Sequence, residues 1–223
     1  VFGWDSDFLG AYFHDDDYGL VRFVPHRFSR GIKLWTWGTE SHWTGEYSLN
    51  MGSYNEIQGG RWPTQTMSGF LEPHQMDTWT EYWYPVRGLA GVDQAAGNAA
   101  MSVRFADDGT HARVKVHFLN AVSGTLIAKS GGKVLFQEPL DVPANETVGT
   151  LVNVEGLGED DALSVSFVDD SNFTVISHEA RRKFVRGEAP EIPPTVEVAG
   201  EGPLWDRLAA ALELEVSEGC LLY

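Results

Sequence analysis

The chain has 223 residues, 43% apolar and 22% charged, the composition of a folded globular protein, which excludes wholesale disorder. Its 16 Lys and Arg stand against 32 Asp and Glu, a formal charge of −16, which argues against nucleic acid and anionic membranes as partners. No apolar run reaches the roughly 20 residues of a membrane-spanning helix, and a neutral polar partner, sugars foremost, fits this surface most easily.

The chain starts at Val1 without an initiator Met, and the expectation is a piece of a longer or processed protein. Leu20-Val21-Arg22-Phe23-Val24 is a short strand-like run ended by Pro25. Ile32-Lys33-Leu34-Trp35-Thr36-Trp37 alternates with period 2 and closes at Gly38. Tyr54-Asn55-Glu56-Ile57-Gln58 alternates again and stops at Gly59-Gly60. Trp79 to Tyr84 forms a fourth run, with Pro85 as its expected end. Seven of the eight tryptophans and six of the seven tyrosines lie before residue 95. The aromatic residues therefore mark residues 1–95 as one unit.

From about residue 99 the pattern becomes plainer. Short Val/Leu/Thr/Ser strands over 101–105, 111–119, 124–128, 133–136, 148–154, 163–168 and 174–177 alternate with turns such as Asp107-Asp108-Gly109 and Ser130-Gly131-Gly132. Strands this close, with no helix between them, predict a β-sandwich over residues 96–187. A Pro-rich linker follows over 188–203. Apolar residues at 204, 205, 208, 211 and 212 then predict a short C-terminal helix within 204–223. The single cysteine, Cys220, excludes an internal disulfide and suits a reducing, cytoplasmic compartment.

Three groups of residues carry candidate chemistry. The first is Tyr54-x-Glu56-x-Gln58-Gly59-Gly60-Arg61-Trp62 with Gln65. A carboxylate and an amide on one strand face can exchange hydrogen bonds with sugar hydroxyls, and an indole can stack on a pyranose. The same Glu and Gln also suit the solvated face of an antiparallel sheet. The second group is Trp79-x-Glu81-x-Trp83, a carboxylate between two tryptophans on one strand face. In a core, Glu81 would need a partner. In a cleft, it would have a raised pKa and suit general-acid chemistry. Glu56 and Glu81 together are then a candidate catalytic pair for glycoside chemistry. Lys33, beside Trp35 and Trp37, is a candidate to neutralise such a carboxylate.

The third group is His14-Asp15-Asp16-Asp17, which fits neither a calcium loop nor a zinc motif and reads mainly as a solvated turn, with His14 as a possible ligand contact. No phosphate loop, dinucleotide fingerprint or serine-hydrolase elbow is present, so no cofactor and no metal is expected.

The order Gly31 to Gly38, Tyr54 to Gly60 with Gln65, and Glu81-Tyr82-Trp83-Tyr84-Pro85-Val86 resembles an uncharacterised bacterial domain family. Its members often carry the domain ahead of tetratricopeptide repeats, and the domain is thought to resemble the galactose-mutarotase-like supersandwich. The resemblance covers about residues 1–90. It implies part of a carbohydrate-facing β-supersandwich over that segment, and the smaller sandwich and short helix read from the later patterns suit that arrangement in an all-β chain. It also implies a helical repeat partner after this chain. Mutarotases use a His acid and a Glu base. Residues of those types here are His14 or His26 and Glu56 or Glu81, with no motif match to select among them. Three functions stay open at this point: a carbohydrate-recognising domain, a glycoside hydrolase or epimerase, and a structural or protein-interaction module.

Overall fold

The computed structural model describes residues 6–37, 54–64, 67 and 69–182, and every regular element in them is a β-strand. The chain is all-β. The expected linker and C-terminal helix fall outside the described residues, as does Gln65; Trp35 and Trp37 are described only as strand backbone.

Strands β1 (Phe8–Phe13) and β2 (Tyr18–Phe23) form a hairpin, with Phe8 opposite Phe23 and Phe13 opposite Tyr18. Strands β3 (Gly31–Trp37) and β4 (Tyr54–Gly60) pair in a separate antiparallel ladder, with Lys33 opposite Gln58 and Trp35 opposite Glu56. Strand β5 (Tyr82–Arg87) adds to β2, giving the order β1-β2-β5. It begins three residues later than the sequence pattern suggests and runs through Pro85. The reason is position: β5 is an edge strand, where a missing N–H can face away from the ladder.

The remaining strands build two four-stranded sheets. Strands β6 (Gln94–Ala95), β7 (Ala99–Phe105), β8 (His111–Phe118) and β11 (Glu146–Asn153) lie in the order β11-β8-β7-β6. Strands β9 (Val122–Ser130), β10 (Lys133–Val142), β12 (Leu163–Asp169) and β13 (Thr174–Ala180) lie in the order β10-β9-β12-β13. Alternation does the sorting: Ala112, Val114, Val116 and Phe118 of β8 share a core with Leu163, Val165 and Phe167 of β12. Phe118 meets Phe167 edge-on across the two sheets, with centroids 4.7 Å apart. Each such fully buried side chain contributes on the order of 1.5–3 kcal/mol.

Strand β7 is buried on both faces. Ala99, Met101 and Val103 belong to the sandwich core, while Ala100 packs with Val21, Tyr84, Val86 and Leu89 of the first unit. Tyr84 seals this second cluster by directing its hydroxyl at the carbonyls of Ala96 (2.6 Å) and Ala99 (2.9 Å). The Gly/Ala-rich stretch over 89–100 is thus a packed seam, because small side chains let two layers come close.

Candidate functional site

Across the sheet from that seam, Arg22 and Trp83 are register partners on β2 and β5. Alternation puts Val21 and Tyr84 in the seam and turns Arg22 and Trp83 the opposite way. Arg22 is almost wholly buried there. Its guanidinium meets Glu81 side-on, Nε donating to Oε2 at 2.9 Å and Nη2 to Oε1 at 2.7 Å. The second Nη2 bond goes to Ser29 Oγ at 2.5 Å, and Ser29 in turn donates to the carbonyl of Gly60 at 2.9 Å.

Two indoles complete the arrangement. Trp79 Nε1 donates to Glu81 Oε1 at 2.7 Å, and Trp83 Nε1 donates to Oε2 at 3.1 Å. Glu81 thus accepts four hydrogen bonds, two of them charge-assisted, which is about the full capacity of a carboxylate. The Arg22 hydrogen bonds, helped by the two indole N–H groups, hold its pKa down to about 2. The raised pKa of the general-acid reading is therefore corrected: Glu81 is firmly ionised. It is the paired carboxylate of the alternative reading, and its neutralising cation is Arg22, not Lys33.

The hub also fixes the β3–β4 ladder. A Cβ built at Gly59 would overlap the Arg22 guanidinium, and one at Gly31 would overlap the Trp62 carbonyl. Only glycine lets β4 lie on the arginine and β3 on the turn that follows β4. Two depressions result. The smaller, about 140 Å³, is lined by Lys33, Gln58, Trp62 and the glycines of the ladder ends. The larger, about 300 Å³, is lined by Arg27, Phe28, Arg30, Arg61, Trp62, Met67, Asp77 and Thr78, among others. Trp62 and Pro63 border both.

The sequence candidates divide accordingly. Lys33, Gln58, Arg61 and Trp62 come together around these depressions. Glu56 is engaged by Gln58 Nε2 on the same strand. Arg61 pairs with Asp77 at 2.6 Å and lies over the Trp62 ring at 5.0 Å, and Gly69 packs against that ring as well. Among the described residues Trp62 (36% exposed), Trp79 (40%) and Trp83 (45%) all keep accessible surface; Arg61 covers part of the first ring, and Arg22 lies 5.9 Å from the centroid of the Trp83 ring.

His14 is not brought to the site. It sits in the β1–β2 turn, at the Tyr18 end of β2, and Tyr18 itself is four residues, about 13 Å of strand, from Arg22. That turn is tied instead to the seam: Tyr12 donates to Asp17 and accepts from the backbone N–H of Leu89 and Ala90. Among the described residues no group of three His, Cys, Asp or Glu is placed to hold a metal ion.

Sequence reasoning missed Arg22 and Ser29. The available signal was one arginine inside an otherwise apolar strand, Leu20-Val21-Arg22-Phe23-Val24, which demands a buried partner.

Comparison with known proteins adds one result. Residues 1–86 match the model of a family described as a domain of unknown function, DUF5107. No solved structure matches the chain. The matched segment contains the whole hub, both depressions and the exposed indoles of Trp62, Trp79 and Trp83.

Proposed function

We propose that the chain is a carbohydrate-recognising β domain of a larger carbohydrate-active protein, and that Trp79 and Trp83 are its stacking surfaces. The observation that carries this reading is the pair of half-exposed indoles whose N–H groups are both fixed on one buried-side carboxylate. Locking the polar edge of an indole leaves its apolar face as a rigid platform, and ordering that ring costs nothing further on binding. The adjoining depressions offer amide, ammonium and guanidinium donors for hydroxyl groups. The earlier resemblance to the mutarotase-like supersandwich supports the same reading.

Recognition needs no proton donor, and Glu81 has neither a proton to give nor a free lone pair for a sugar. This favours a binding role over acid–base catalysis at this hub. The test is calorimetry of the full chain against a panel of neutral and acidic oligosaccharides. Binding by some member, weakened about tenfold or more in W79A and W83A, is the expected result. A well-folded chain silent to every member overturns the proposal.

A further inference from the structure

The distribution of positive charge says more about the ligand. Residues 1–95 hold six cationic side chains: Arg22, Arg27, Arg30, Lys33, Arg61 and Arg87. Arg22 is consumed by Glu81, and Arg87 lies far along β5, beside Glu146. The other four all line the two depressions that share Trp62: Arg27, Arg30 and Arg61 the larger, Lys33 the smaller. The one carboxylate lining the larger depression, Asp77, is already paired with Arg61. Among the described residues neither Arg27 nor Arg30 has an ion-pair partner. Arg27 lies over the Phe28 ring at 4.6 Å, which orients its guanidinium without neutralising it.

In a chain of −16, a local excess of cation is the exception. Repulsion from distant carboxylates is screened beyond about 8 Å at physiological salt, so an anion in the depression responds chiefly to the arginines beside it. Guanidinium groups match carboxylates in shape and hydrogen-bond directly to both oxygens. Thr78, a lining residue of the larger depression, directly precedes Trp79 in the chain.

We propose that the ligand is an acidic carbohydrate, a uronic-acid-containing glycan, whose carboxylate is received by Arg27 and Arg30 while Trp79 and Trp83 hold the pyranose rings. This rests on the carbohydrate reading above and narrows it.

The test uses the full chain and three matched sets of oligosaccharides: galacturonate, glucuronate and mannuronate oligomers, their methyl esters, and neutral galactose, glucose and mannose oligomers. The expected result is binding of at least one acidic set, at least about tenfold tighter than its ester, falling as NaCl rises. R27A and R30A should each lose about tenfold toward the acid and distinctly less toward the ester, since only the acid loses a charge pair. R27K and R30K, which keep the charge, should retain part of it, and melting curves of all four should match the parent. Equal affinity for acid and ester, binding of neutral sets alone, or indifference to R27A and R30A overturns the charge assignment and leaves carbohydrate recognition standing. Tight binding of free sulfate or phosphate in preference to any uronate also overturns it. Silence toward all three sets overturns both readings.

Discussion

Arg22 and Glu81, 59 residues apart in the chain, meet through two nearly parallel hydrogen bonds of 2.7 and 2.9 Å. The arginine comes from the middle strand of the β1-β2-β5 sheet, and the glutamate immediately precedes its edge strand. Their burial is unequal, with side-chain exposures of 2% and 23%. Removing the glutamate therefore strands a guanidinium that water cannot reach. Removing the arginine leaves a carboxylate that water and two indoles still serve.

That inequality predicts an order of stability. E81Q should destabilise by roughly 3–5 kcal/mol, and R22M by less, because the penalty is set by the burial of the charge left behind. The double variant R22M/E81Q should recover part of the E81Q loss. Urea midpoints of the three variants decide it; R22M falling below E81Q would refute the account.

The pH dependence follows from the same pair. The folded carboxyl titrates at about 2, against 4.5 without its partners. The unfolded chain thus binds the proton more readily, and stability contributed by Glu81 is complete above about pH 5. It is lost as pH falls from about 4.5 toward 2. Urea titrations between pH 6 and 3 should show a decline in the parent that is much shallower in E81Q.

Gly59 should tolerate nothing larger. A methyl group there meets a guanidinium already fixed by Glu81 and Ser29, so it cannot swing aside. G59A should cost about 1–3 kcal/mol and shift indole fluorescence, because Trp79 and Trp83 are held by the same carboxylate. G149A offers the contrast: a Cβ there meets only a flexible methylene of Lys115 at 3.2 Å and backbone at 3.5 Å.

Y84F removes a buried hydroxyl proton from two carbonyls at once. Burial raises the Tyr84 pKa, so the phenol stays protonated and donating at any working pH. The substitution should cost about 1–2 kcal/mol by leaving the Ala96 and Ala99 carbonyls short of a donor. Glycan affinity should be unaltered, since this contact lies across the sheet from the indoles.

The strands with strict alternation were legible in the sequence. Ile32–Trp37 and Tyr54–Gln58 fall within β3 and β4, and the sandwich strands appear where their patterns predict. Strand β1 was not legible, because Phe-Leu-Gly-Ala-Tyr-Phe has no period and its Gly10 weakens any strand reading. Pro85 misled because an edge position cannot be known before the sheet order is. Trp79, Glu81 and Trp83 do converge, as their spacing suggests, although only Trp83 lies in a strand. The partner of Glu81 was hidden for a simpler reason: contacts across 59 residues leave no local trace.

The seam at β7 carries a consequence for how such a module can be inherited. The family match stops at residue 86, yet Leu89, Ala95 and Ala100, which cover Val21, Tyr84 and Val86, all lie after it. A gene segment cut at that point would express a sheet with one greasy side uncovered. Shuffling between proteins should preserve the junction through at least Ala100, and the half that holds Arg22 and Glu81 should travel with a neighbour that supplies an equivalent lining.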